Sequence, residues 1–193
     1  MESTKQPEIV PATAQGANLH NYEEAYASFD WSEVEQSFTW STTGKVNMAY
    51  EAIDRHAEGA RKDKIALHYS DSTRDESYTF AQIRQESNKF GNVLRKLGVV
   101  KGDRVFIFMP RTPELYFALL GTLKVGAIAG PLFEAFMETA VRDRLQDSGA
   151  KAIVTTPALL SRVPAAELPE LKHIILVGDG IEPAEGHVDY FKE

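Results

Sequence analysis

The chain has 193 residues, of which 43% are hydrophobic and 25% charged, which excludes extensive disorder and allows one sizeable buried core. A formal net charge of −7, with Lys and Arg scattered rather than clustered, excludes the basic footprint of nucleic-acid binding. The lack of cysteine excludes disulfide scaffolds, thiol catalysis and thiolate metal sites, and makes a cytoplasmic location the expectation.

Residues 1–18 carry Pro7, Pro11 and Gly16 among polar residues and are expected to be a flexible arm. Their acidic, polar start lacks the basic residues and apolar run of an export signal. A helical extension is expected over 19–62. In "NYEEAYASFDWSEVEQSF", Tyr22, Tyr26, Phe29 and Val34 recur at helical spacings, as aromatics that pack on the protein body rather than bind a cofactor.

"STTGK", residues 41–45, invites comparison with a nucleotide phosphate loop. That loop needs a glycine five positions before its Gly-Lys pair and a hydroxyl after the lysine, whereas this chain has Thr39 and Val46 there. A turn at Gly44 is expected instead, with Asn47 capping a helix whose Met48, Ala49 or Ala52, and Ile53 face a core.

From residue 63 onward the pattern predicts an α/β subdomain running to 193. "KIALHYS" and "SYTF", joined by a polar loop, predict an antiparallel hairpin at a sheet edge. "TFAQIRQESNKFGNVLRKLGV" predicts an amphipathic helix capped by Thr79, with Ile83, Phe90, Val93, Leu94 and Leu97 in one stripe and Gly98 at its end. "VFIFMP" runs apolar without alternation, as a parallel strand covered on both faces does.

Helix "TPELYFALLGTLKVG", strand "AIAGPLF", helix "ETAVRDRLQDSG", strand "AKAIVTT", short helix "PALLSRV" and strand "KHIILVG" continue the rhythm. Strands alternating with helices specify right-handed crossovers and a doubly wound, mostly parallel sheet. "ALLGTLKVGAIAGPLF" is broken by Lys124, glycines and Pro131, so no membrane span is expected. "VGDGIEP" has Pro183 where a dinucleotide fingerprint needs its third glycine, and a plain turn is expected there. His20, His56, His68, His173 and His187 show no helical metal-pair spacing, so they are expected to be surface or packing residues. In such sheets ligands sit at the carboxyl ends of the strands, here near "MPRTP", "PLFEAF", "TTP" and "VGDG".

The succession "NYEEAYASFDW", "TGKVNMAYEAIDRHAE", "SYTFAQIRQESNKFGNVLRKLGVVKGDRVFIFMPRTPELYFALLGTLKVGAIAGPLFEAFMETAVRDRLQDSGAKAIVTTPALL" and "LPELKHIILVG" resembles the beginning of the AMP-forming acyl-CoA synthetases. Within that adenylate-forming family it is most similar to the bacterial acetyl-CoA synthetases. The resemblance implies an enzyme that activates acetate with ATP and magnesium to acetyl-adenylate and then transfers the acetyl group to coenzyme A. It also implies that the glycine-rich loop ending in Pro-Lys-Gly, the Thr-Glu motif that helps hold magnesium, the acyl pocket and the catalytic lysine lie outside these residues. The 193-residue chain alone is therefore expected to be inactive, with no catalytic or metal-binding residue of its own.

What the resemblance does place here is an outer coenzyme A site, where adenosine and its 3′-phosphate lie against a strand end and nearby arginines. The matching positions are Phe133 to Phe136, including Ala135 where a glycine is expected, and Arg162 for the phosphate. A guanidinium near a strand's carboxyl end suits a phosphate contact. Arg111 and Glu134 are candidates to line the crevice, while Arg142 and Arg144, interleaved with Asp143 and Asp147, form a solvated helix face. The alternatives are a non-catalytic binding module on the same fold, or a synthetase for propionate or a medium-chain acid. Exposed apolar surface is expected to favour self-association.

Overall fold

The computed structural model describes residues 19–178, 187–190 and 192. The arm expected over 1–18 and the turn expected at 179–183 lie outside the described residues. The chain divides into two compact units, residues 1–44 and 45–193.

In the first unit three short helices form, α1 (Tyr22–Ser28), α2 (Trp31–Gln36) and α3 (Trp40–Thr43). Asn21 and Asp30 cap the first two by accepting from the backbone N–H groups of Glu24 and Ser32. Within this unit Tyr22 stacks on Tyr26 and Phe29 meets Trp31 edge to face. Gly44 ends α3 in the left-handed region, at φ 63°, so "STTGK" is a helix end and turn.

The second unit opens as expected with Asn47, whose Oδ1 accepts from the N–H groups of Ala49 and Tyr50. The helix it starts is not regular. It widens into a π turn at Tyr50–Asp54 before α4 (Arg55–Ala57). That wider turn shifts the helical phase, so Met48 and Ala52 are exposed, and Glu51 joins Ala49 in the interior.

Strands β1 (Ile65–Ser70) and β2 (Asp75–Thr79) pair antiparallel, as the alternation predicts. They stand as a separate two-stranded sheet, however, not on the edge of the parallel one. Thr79 ends β2 and caps α5 (Phe80–Lys96), closing a reciprocal capping box with Gln82. The chain then alternates through β3 (Arg104–Phe108), α6 (Pro113–Lys124), β4 (Ile128–Leu132), α7 (Glu138–Ser148), β5 (Ala152–Thr155), α8 (Pro157–Leu160) and β6 (His173–Leu176). A further strand, β7 (His187–Asp189), was not expected, being three residues long and preceded by glycine and proline.

The five strands β3 to β7 form one sheet of order β4-β3-β5-β6-β7, all neighbours parallel. Alternate side chains feed two cores. Val105, Ile107, Ala152, Val154 and Ile175 meet Phe90, Leu94 and Ala118 of α5 and α6 on one face. Phe108, Ile153, Ile174 and Leu176 meet Val141 and Leu145 of α7 and Leu159 of α8 on the other. Burial on both faces is why these strands read as unbroken apolar runs.

Helices α5 and α6 approach closely at Gly91 and Gly121. A Cβ on Gly121 would stand 2.7 Å from the Ser87 carbonyl oxygen, so the crossing requires glycine there. The sheet order places the reversal of chain direction between β3 and β5, since α6 leaves β3 on one face and α8 leaves β5 on the other. At such a reversal the two outgoing loops diverge and open a crevice at the strands' carboxyl ends.

Candidate functional site

Three loops leave the carboxyl ends of neighbouring strands: residues 109–112 after β3, 133–137 after β4, and Thr156 after β5. Pro113 and Pro157 each open the next helix at its first turn, so the loops are short and their paths are set by the strands. Between the ends of β3 and β4 lies a cavity of about 510 Å³ lined by Arg111, Leu115, Tyr116, Leu132, Phe133 and Glu134. That volume suits a small-molecule group. Arg111 and Glu134 thus both line this cavity, on the β4 side of β3, and Tyr116, which sequence spacing did not single out, joins them from α6.

The loop after β4 is a tight turn in which the Phe136 N–H donates to the Phe133 carbonyl at 2.9 Å. Its two rings meet edge to face, with centroids 5.9 Å apart and planes at 89°. Phe133 is 60% exposed, too open for a core residue of its size, and Ala135 beside it is also exposed. The rest of the turn is held from outside. Arg162, just beyond α8, donates Nη1 to the carbonyl oxygens of Glu134 at 2.9 Å and Phe136 at 3.3 Å. The structure therefore brings Phe133, Ala135 and Arg162 together, although Arg162 lies more than two dozen positions along the chain from the loop.

Arg142 and Arg144 differ from one another. Arg142 pairs with Asp143 and Glu167 at 3.1 and 3.5 Å, as a solvated helix face does. Arg144 does not conform to that expectation: its guanidinium lies 4.3 Å over the Phe136 ring, with Nη1 donating to the Ala140 carbonyl at 2.8 Å. Sequence periodicity missed the contact because Phe136 precedes the helix and so falls outside its 3.6-residue repeat.

Buried Glu114 in the first turn of α6 takes an ion pair from Arg74 at 3.2 Å. Burial pushes its carboxyl up, but the neighbouring Thr112 side chain and the hydrogen-bonded Arg74 guanidinium outweigh that and hold it below the ordinary glutamate range. The positive end of α6 is thereby already matched by a carboxylate. Among the described residues no three His, Asp or Glu side chains gather where they would hold a metal ion. No helix among them is long and apolar enough to cross a membrane.

Comparison with known proteins adds four findings. The family model described as AMP-binding enzyme matches residues 53–190. The chain is 60% identical over 182 residues to acetyl-coenzyme A synthetase of Bacillus subtilis, covering 94% of this chain and 32% of that one. It is 42% identical over 130 residues to 3-hydroxypropionyl-coenzyme A synthetase of Sulfurisphaera tokodaii, covering 67% of this chain and 20% of the relative. The crystal structure of a Brucella canis acyl-CoA synthetase superposes with a TM-score of 0.77 at 32% identity, over 90% of this chain and 31% of that one. The chain thus spans a third or less of the length of these relatives.

Proposed function

The chain belongs to the AMP-binding enzyme family, and from that premise we propose that it is part of an AMP-forming acetyl-CoA synthetase and carries that enzyme's outer coenzyme A site. In the complete reaction acetate attacks the α-phosphate of ATP, giving acetyl-adenylate and pyrophosphate. The thiol of coenzyme A then takes the acetyl group and AMP leaves. Acetate as the acid is supported by the 60% identity to the Bacillus subtilis acetyl-coenzyme A synthetase over 94% of this chain.

The observation that carries the site is the grip of Arg162 on the turn bearing Phe133. Both bonds leave from Nη1, so the other donors of the planar fork serve a phosphate. The exposed Phe133 ring offers its face to an adenine, a stack worth about 1–3 kcal/mol for a base on an aromatic side chain. Ala135 adds a methyl where the resemblance expects glycine, which narrows the approach to the turn but leaves the stacking face open.

Adenylation needs a clamp on the triphosphate and a charge-neutralising metal and lysine. These 193 residues contain no glycine-rich loop ending in Pro-Lys-Gly. The expected outcome is no acetate-dependent pyrophosphate release from the purified chain, and release well above a blank would overturn that part of the reading. Calorimetric titration with coenzyme A and dephospho-coenzyme A tests the site. Coenzyme A is expected to bind more tightly, and Arg162→Ala to lose about tenfold or more of that affinity, as for a charged hydrogen-bonded pair. Equal binding of the two ligands, or no effect of the substitution, would contradict it.

A further inference from the structure

We infer that Arg144 is a positioning residue for the adenine of this site, holding Phe136, and through it Phe133, as a ready-made stacking platform. The inference rests on the coenzyme A reading above and assigns a role to a side chain that touches no ligand in it.

Arg144 sits on α7 with Asp143 before it and Asp147 three residues on, so an ordinary surface arginine there would pair with a carboxylate. Among the described residues it forms no ion pair. Its side chain runs back toward the start of α7, as long helical side chains do, and caps the Phe136 ring with the guanidinium 4.3 Å from the centroid. The bond from Nη1 to the Ala140 carbonyl fixes the guanidinium in that place.

Two arginines from separate elements thus secure one turn by different means. Arg162 holds its backbone through the carbonyls of Glu134 and Phe136, and Arg144 holds its inner ring. Phe136 in turn meets Phe133 at 89°, so the plane of the inner ring sets that of the exposed one. A ring already fixed loses no rotamer freedom when a base lands on it. The consequence is a division of labour: Arg162 reads the phosphate, and Arg144 sets how well any adenine stacks, phosphorylated or not.

That division is testable on this chain with adenosine 3′,5′-bisphosphate and adenosine 5′-monophosphate, which differ by the 3′-phosphate alone. Arg144→Met is expected to weaken both ligands by the same factor, about three- to tenfold, leaving their ratio unchanged. Its thermal midpoint is expected to stay within about 2 °C of the parent, the scale of a surface substitution. Arg144→Lys, which keeps the charge and loses the plane, is expected to fall between the two. Arg162→Ala is expected to collapse the ratio instead.

Unchanged affinities in Arg144→Met overturn the inference and leave the coenzyme A site standing. Selective loss of the bisphosphate also overturns it, since Arg144 would then be a phosphate ligand. So does a loss of affinity that appears only together with a lowered midpoint in both Arg144 variants. A parent chain that binds neither nucleotide overturns the coenzyme A reading itself, and this inference with it.

Discussion

The two edges of the parallel sheet use the same kind of contact for different ends. At the amino edge Arg104 donates to the Ser148 carbonyl at 2.7 Å and to that of Gly149, fastening the end of α7 to the start of β3. Lys151 likewise donates to the Gly98 carbonyl at 2.8 Å and to Asp103 at 2.7 Å. At the carboxyl edge Arg162 also grips loop carbonyls, with the same chemistry and similar distances. The loops differ in what they present. The amino-edge turns offer glycines and, at Val100, an exposed aliphatic side chain, whereas the turn held by Arg162 offers an exposed phenyl ring beside a cavity. A cation on a carbonyl is therefore a structural device at both edges, and only the cargo of the held loop makes one of them a candidate site.

The sharpest way to break this contrast is Arg104→Ala. Removing the guanidinium leaves three loop carbonyls, those of Gly102, Ser148 and Gly149, without that donor, and a loss of about 2–3 kcal/mol is expected, or a midpoint lower by about 5–10 °C. Thermal denaturation followed by circular dichroism reads it, while coenzyme A affinity is expected to stay within about twofold, as for a distant independent position. A parallel fall in affinity would show that the edges are not separable.

Gly130→Ala crosses the two regions. A Cβ there would stand 2.7 Å from Cε1 of Phe106, so the ring or β4 must shift, at a cost of about 1–3 kcal/mol. Because β4 leads directly into Phe133, coenzyme A affinity is expected to fall as well, in contrast to Arg104→Ala. Denaturation and titration of the same preparation distinguish the two patterns.

Glu114→Gln gives the smallest effect and sharpens the carboxyl edge through pH. The folded carboxyl lies below its unfolded value, so its contribution is complete above about pH 4.5 and fades as pH falls through the lower folded value. At neutral pH the variant is expected to lose about 1 kcal/mol or less, its partner Arg74 being partly exposed. Between about pH 5 and 3 its stability should fall less steeply than the parent's, because that carboxyl no longer takes up a proton. Acid-denaturation curves of the two proteins check the slope.

Much of the fold was legible because local signals agreed with one another. Thr79, the stripe from Ile83 to Leu97 and Gly98 defined α5 from both ends, and the unalternating apolar runs marked parallel strands buried on both faces. Where local rules failed, a tertiary cause is visible. The π turn at Tyr50–Asp54 rotated Met48 out and Glu51 in, which no regular period anticipates. Strand β7 is too short to carry a pattern, and its partner Ile174 to Leu176 defines it instead. The hairpin β1–β2 had the right pairing, but alternation in a strand does not say which sheet it joins.

The candidate site was legible only in pieces. Position and residue type picked out Phe133, Ala135 and Arg162, and resemblance supplied the link between them. That Arg162 reaches back to the carbonyls of Glu134 and Phe136 depends on β4 and β5 flanking β3, a fact of topology rather than of local sequence. Arg144 looked like half of a surface charge pattern. Its stacking on Phe136 depends on where the chain turns ahead of α7, which a helical repeat does not encode.

The most direct test is an amide spectrum of the isotopically labelled chain, titrated with coenzyme A. The account predicts that residues 133–136 and Arg162 move together and saturate at one concentration, while Arg104, Lys151 and the 98–103 turn stay where they are. Shifts concentrated at the amino edge, or a titration in which residues 133–136 do not move, would contradict the claim that the carboxyl-edge turn is the coenzyme A site.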